Sequence, residues 1–196
     1  MCEGIAKTVK LLCDAVGIEC IVALSHANPE RGVKYRHAWN VVKLEGKWYH
    51  VDATFDNSLQ RGAARYDYFC LDDKHIFRDH ERLVLPLPPC GDGDSFYYRS
   101  ISLTKPEQVE SRVKQALRKR EAHLVFHWRG GGLNRTILAQ LLDIARTQAQ
   151  AKGKSVQCAV NVAQAVIQLT FQDAAAEEMT VQQPDENRED VPDVEE

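Results

Sequence analysis

The stretch from His37 to Asp52 reads as a β-hairpin, and its turn fixes which side chains can meet. Two runs rich in β-branched and aromatic residues, Ala38 to Leu44 and Lys47 to Val51, flank Glu45-Gly46. Gly in a two-residue connection supplies the positive φ that a tight hairpin turn requires. With Glu45 and Gly46 as the turn, Leu44 faces Lys47, Val41 faces His50 and Trp39 faces Asp52. Side chains alternate between the faces of a sheet, so His37, Trp39 and Val41 share a face with His50, Asp52 and Thr54. His37 is then diagonal to Asp52, at a backbone separation of roughly 7–8 Å that an imidazole and a carboxylate can close with a hydrogen bond.

A His-Asp pair is the orienting half of a nucleophilic triad. The carboxylate fixes the imidazole tautomer and stabilises the imidazolium, while the imidazole activates a thiol or hydroxyl. Cys2 is the nucleophile the sequence offers. Glu3 to Val16 has the spacing of an amphipathic helix, with Ile5, Val9, Leu12, Cys13 and Val16 on one face, which puts the thiol at the helix N-terminus. There the helix dipole and a neighbouring imidazolium both favour thiolate, and together such effects bring a cysteine pKa from about 8.5 to about 3.5–7.5. Cys2, His37, His50 and Asp52 are also metal-ligand types, but they lack a close ligand pair such as HxxxH, so no metal is expected.

These residues resemble the transglutaminase-like superfamily of papain-like cysteine enzymes. The resemblance rests on Cys2-Glu3-Gly4-Ile5-Ala6 opening a helix, His37-Ala38-Trp39-Asn40 opening a strand, and Trp48-Tyr49-His50-Val51-Asp52 closing the next. Arg65-Tyr66-Asp67-Tyr68-Phe69, then Leu71-Asp72-Asp73-Lys74 and Asp79-His80, is similar to the segment that follows this core in bacterial members, so the coverage is roughly residues 2 to 80. The resemblance implies an α+β fold in which a helix carrying Cys2 packs on an antiparallel sheet carrying His37 and Asp52. It implies attack of the Cys2 thiolate on a peptide or protein amide, with His37 as base, Asp52 as its orienter, and a thioester intermediate. Glu3 is assigned to the substrate cleft, and Trp39 to the cleft wall or to plain core packing. Hydrolysis of the peptidase type is the expected outcome, and a non-catalytic peptide- or protein-binding module on the same fold is the rival. No cofactor is expected.

The rest of the chain constrains this reading. With 196 residues, 44% hydrophobic and 27% charged, the composition is that of a soluble globular protein of one medium domain or two small ones. No apolar run approaches the roughly 20 residues a membrane helix needs, and no signal peptide precedes Cys2. A cytoplasmic protein is expected, with no membrane partner. Because family members carry further helical structure before the nucleophile helix, the chain reads as N-terminally truncated. The six cysteines follow neither CxxC spacing nor a disulfide framework and read as reduced thiols, with Cys13 and Cys20 as structural ones. From Asp173 onward ten Asp or Glu and one Arg place −9 on the last 24 residues and leave +6 on the preceding 172. Almost devoid of large apolar side chains, that tail reads as disordered.

The expected organisation is a catalytic core over 1–85, a Pro/Gly-rich linker over 86–103, a small αβαββ unit over 104–172 and the acidic tail over 173–196. Ile18 to Leu24 reads as a strand after a C-cap at Gly17, Ser25 to Lys34 as a loop rimming the cleft, Thr54 to Ala64 as a turn, and Tyr66 to Leu71 as core. In the second half, Thr104 to Arg120 and Asn134 to Lys152 read as helices, with strands at Ala122–Trp128, Ser155–Val160 and Ala165–Phe171. The basic residues of the first of these helices invite a nucleic-acid reading, but a solvated face explains them and no nucleic-acid partner is expected. Gly130-Gly131-Gly132 before a helix matches no phosphate-binding pattern and reads as a turn with Asn134 as cap.

Overall fold

The computed structural model describes residues 1–31, 35–81, 83–91 and 96–174. The fold is α+β, built on two four-stranded sheets. Helix α1 (Cys2–Ala15) runs to Gly17, whose φ of 76° ends it as a left-handed C-terminal residue does. The first sheet has the order β1-β2-β3-β4, antiparallel throughout, from β1 (Cys20–Leu24), β2 (Ala38–Leu44), β3 (Lys47–Val51) and β4 (Phe69–Leu71).

The hairpin has the register that its turn dictates. Leu44 pairs with Lys47 and Val41 with His50, and Glu45 and Gly46 both have positive φ, at 51° and 81°. Alternation then sorts the two faces. Cys20, Val42, Tyr49, Val51 and Cys70 form a core with Cys13 of α1, while Ala23, Trp39, Val41, Tyr68, Leu71, Ile76 and Cys90 form another on the opposite side. Asn40 ties α1 to the sheet by donating to the Ala6 carbonyl at 2.9 Å.

Three expectations are corrected here. The stretch after Asp52 is not a plain turn: it holds α2 (Ala53–Ser58), too short for periodicity to reveal but capped by Asp52. The run 66–71 is only partly core, because Tyr66 and Phe69 are 39% and 37% exposed and meet the Tyr97 ring at 4.5 and 6.2 Å. Asp173 belongs to a strand rather than to a disordered tail, anchored by Lys154 at 2.6 Å; residues 175–196, also read as disordered, lie outside the described residues.

A short helix, α3 (Asp73–Ile76), follows β4 and is capped by Asp72. Within 86–103, Cys90 is fully buried and its amide donates to Asp73 at 3.1 Å, and a 3-10 turn over Tyr97–Ile101 leads into β5 (Ser102–Leu103). Then come α4 (Pro106–Arg118), β6 (His123–Trp128), α5 (Arg135–Gln150), β7 (Lys154–Asn161) and β8 (Val166–Asp173). The second sheet has the order β5-β6-β8-β7, with β5 parallel to β6 and the other pairs antiparallel. Val109, Val113 and Ala116 of α4 and Leu141, Ala145 and Ala149 of α5 pack on its strands around Phe126, Ile167 and Leu169. Asn134 caps α5, its side chain accepting from the Ile137 amide at 2.9 Å. Among the described residues, no helix is long and apolar enough to cross a membrane.

A buried polar seam joins the sheets. Arg65 grips Asp67 in a two-bond fork, at 2.9 and 2.6 Å, and reaches Gln168 of β8 at 3.3 Å. Asn161, the last residue of β7, donates to Asp67 at 3.0 Å and to the Tyr68 hydroxyl at 3.1 Å.

Candidate active site

Asp52 leaves β3 at the end of the hairpin and becomes the cap of α2. Its Oδ1 accepts from the amides of Thr54 and Phe55 at 2.9 and 3.0 Å, which fixes the carboxylate and leaves Oδ2 to face the strand before it. There His37 Nε2 meets Oδ2 at 2.5 Å. This is the diagonal pair expected from the hairpin register. Asp52 is wholly buried, and burial alone would raise its pKa; the hydrogen bonds from His37 and a second histidine outweigh that and hold it at about 2. It stays a carboxylate, and the His37 Nδ1 remains as the nitrogen free to take a proton.

The second histidine is His80, and sequence reasoning gave it no role beyond the resemblance. It stands in the turn after α3, 28 residues from Asp52, and neither period nor motif marks it. Its Nε2 lies 2.9 Å from the same Asp52 Oδ2, and its Nδ1 lies 2.9 Å from Asp79 Oδ1. Ionised carboxylates only accept, so the two contacts favour the ring that carries a proton on both nitrogens. Burial opposes that charge, but the bonds to Asp52 and Asp79 prevail and raise its pKa above the ordinary value.

Trp39 was expected to wall the cleft or, as the alternative, to pack in the core. It is 1% exposed and backs the site: its indole stacks on His37 at 5.9 Å and meets His80 edge-on at 4.9 Å. The indole N–H donates to His50 Nδ1 at 2.9 Å, so His50 carries its own proton on Nε2, 2.8 Å from Asp73. Burial lowers the His50 pKa despite that carboxylate.

Cys2 is half-buried at the first position of α1. Asn40 anchors Ala6 one turn further along, α1 lies against α2, and the charge of Arg36, next to His37, reaches Glu3. These contacts bring the first turn of α1 to the end of the sheet that carries His37 and Asp52. Among the described residues, Cys2 makes no hydrogen bond to His37. Glu3 is exposed and pairs with Lys7 at 2.9 Å, which lowers its pKa. The thiols of Cys20 and Cys70, both pushed up to about 11 by burial, and of Cys90, pushed up to about 12, are unfit as nucleophiles.

Two groups of side chains have metal-ligand composition, His37-Asp52-His80 and His50-Asp73-Cys90, each with its ligand atoms within 4.8 Å of one another. A cavity of about 770 Å³ opens beside His80, bounded also by His26, Asn28, Phe77, Glu81 and Leu83. It puts the described part of the 25–34 loop next to the site; residues 32–34 lie outside the described residues.

No protein-family model matches the chain. Over 68 residues, 30% of this chain, it is 31% identical to the kyphoscoliosis peptidase of Mus musculus. The identity to the Homo sapiens kyphoscoliosis peptidase is likewise 31% over 68 residues. The matched stretch spans 10% of the length of each of these relatives. The chain is thus similar, over part of its length, to a transglutaminase-like protein.

Proposed function

We propose that the chain is a transglutaminase-like cysteine hydrolase or acyltransferase acting on peptide or protein amides, with residues 1–85 as its catalytic core and 104–172 as an accompanying unit. The observation that carries this reading is the 2.5 Å bond from His37 Nε2 to a buried Asp52 carboxylate, which leaves Nδ1 to act as base. His37 takes the Cys2 thiol proton at Nδ1. The thiolate attacks the amide carbonyl carbon, and the collapsing tetrahedral intermediate expels the amine, which receives that proton from His37. A thioester remains. Water then completes hydrolysis, the favoured outcome, and a second amine in its place completes transamidation. The free state of all six cysteines fits a reducing compartment, and a cytoplasmic location is part of the proposal.

A second reading, a peptide-binding module without turnover, is favoured by one observation, the lack of a hydrogen bond between Cys2 and His37. Iodoacetamide labelling from pH 5 to 9, read by intact mass and peptide mapping, separates the two. An enzyme labels at Cys2 well below pH 8.5, and His37→Ala slows that labelling by about 10²-fold or more. Slow labelling at Cys2 with an ordinary thiol profile, indifferent to His37, would leave the binding module.

A further inference from the structure

The mechanism above uses one histidine and one aspartate, yet the carboxylate is shared by two rings. His80 is buried, its side chain only 1% exposed, and it is bound at both nitrogens. Asp79, its outer partner, is itself held from the second sheet. The Tyr68 hydroxyl donates to Asp79 at 2.6 Å, Gln164 donates to it at 3.4 Å, and Asn161 donates to Tyr68 at 3.1 Å. Gln164 is 1% exposed and also donates to the His75 carbonyl at 3.1 Å. A continuous line of hydrogen bonds therefore runs from the β7–β8 turn through Tyr68, Asp79 and His80 to Asp52 and His37.

We propose that His80 is a positioning residue for the reaction read above: as an imidazolium clamped by Asp79 it holds the Asp52 carboxylate against His37, offsets part of its charge, and so favours the neutral His37 ring that accepts a proton. The clamp is set by Asn161 at the end of β7 and Gln164 in the β7–β8 turn, and this role rests on the reading of His37 as the base. An isolated Asp52 carboxylate would stabilise the His37 imidazolium strongly and hold the proton there. A cation 5.4 Å away, centroid to centroid, on the other side of the same oxygen reduces that pull. The groups facing His80 are Asp52, Asp79, His37 and Tyr68, with Trp39 and Phe55 as ring neighbours and His26 and Glu81 across the cavity. His50 also feels its charge, and Asp56 feels that of Asp52.

The test is a titration of the histidine ring signals by proton–carbon correlation NMR from pH 5 to 9, on the full chain and on His80→Gln, Asp79→Asn and Gln164→Leu. In the parent the His80 ring titrates above the ordinary histidine value, the direction that its bonds to Asp52 and Asp79 impose. In His80→Gln the His37 signals titrate about one pH unit higher, because a neighbouring cation is gone. Asp79→Asn moves them the same way, since His80 then loses the carboxylate that keeps it charged, and Gln164→Leu does so by less. Thermal unfolding identifies which variants are folded, and Asp79→Asn serves if His80→Gln is not. A His80 ring that titrates near pH 6.5 in the parent, or a His37 titration unmoved in the folded variants, overturns the proposal. The functional reading fails separately: labelling of Cys2 indifferent to His37 sinks it while leaving the clamp, and a His37-dependent label with an unmoved titration does the reverse.

Discussion

Asp52, the cap of α2, and Asp56, one helical turn further on, have pKa values shifted in opposite directions. Asp52 has two imidazole donors and two amides and stays ionised, whereas Asp56 has the Tyr68 amide at 2.9 Å and burial pushes its carboxyl up to about 8. The signs of the two linkages differ. With a folded pKa of about 2 and an unfolded one near 3.9, Asp52 contributes stability at neutral pH that is lost as pH falls toward 2. Asp56 binds its proton more tightly when folded, so its contribution is full below about 4 and is lost as pH rises toward 8. Asp56→Asn, which keeps an acceptor for Tyr68, should flatten the decline in stability between pH 4 and 8, a slope of up to about 1.4 kcal/mol per pH unit, as read by urea unfolding across that range. Asp52→Asn should lower the unfolding midpoint at pH 7, with the difference shrinking below pH 3. At this scale the sequence was readable where a strand period governed: the His37–Asp52 diagonal followed from Glu45-Gly46. It gave His80 no role beyond the resemblance and offered Asp52 as a turn cap only as an alternative to its place beside His37, because both depend on where a short irregular segment turns back.

The elements repeat the lesson at longer range. Helices α1, α4 and α5 and the hairpin advertise themselves through their periods, and their observed ends fall within two residues of those expected from sequence. α2 and α3, with 6 and 4 residues, are too short to carry a period and are defined by their aspartate caps. The placing of Cys2 depends on how α1 seats, and the seating depends on Asn40, which is 1% exposed and bridges the Ala6 carbonyl and the Cys20 sulfur at 2.9 and 3.3 Å. Asn40→Ala should cost about 0.5–1.5 kcal/mol by removing a buried hydrogen bond between α1 and the sheet. In the labelling experiment it should slow modification of Cys2 while leaving the His37 titration where it was. Equal rates in the two proteins would mean that the helix seats without this bond.

Across the whole molecule, the buried seam makes the two sheets depend on each other. The Arg65–Asp67 pair is desolvated on both sides, with side chains 1% and 0% exposed, and the second sheet contributes Gln168 and Asn161 to it. Removing one member of such a pair leaves a buried charge alone. Asp67→Ala should therefore destabilise by about 3–5 kcal/mol, and the unfolding curve in urea, expected to be single in the parent, should separate into two steps. A single transition in the variant would mean that the sheets are coupled by other contacts. Nothing in the sequence pointed here, since Arg65 and Gln168 stand 103 residues apart and Gln at a strand position looks like a solvated side chain.

That seam also bears on inheritance. A unit joined to its neighbour by apolar contact alone can be exchanged for another of similar shape, but here a replacement second sheet must bring an amide to Asp67 and another to Asp79 at the same positions. Fusion to an unrelated unit would leave Arg65 and Asp67 short of partners in a dry interior. A graft of a different second sheet should therefore fold only if it carries amides at the positions of Asn161 and Gln168.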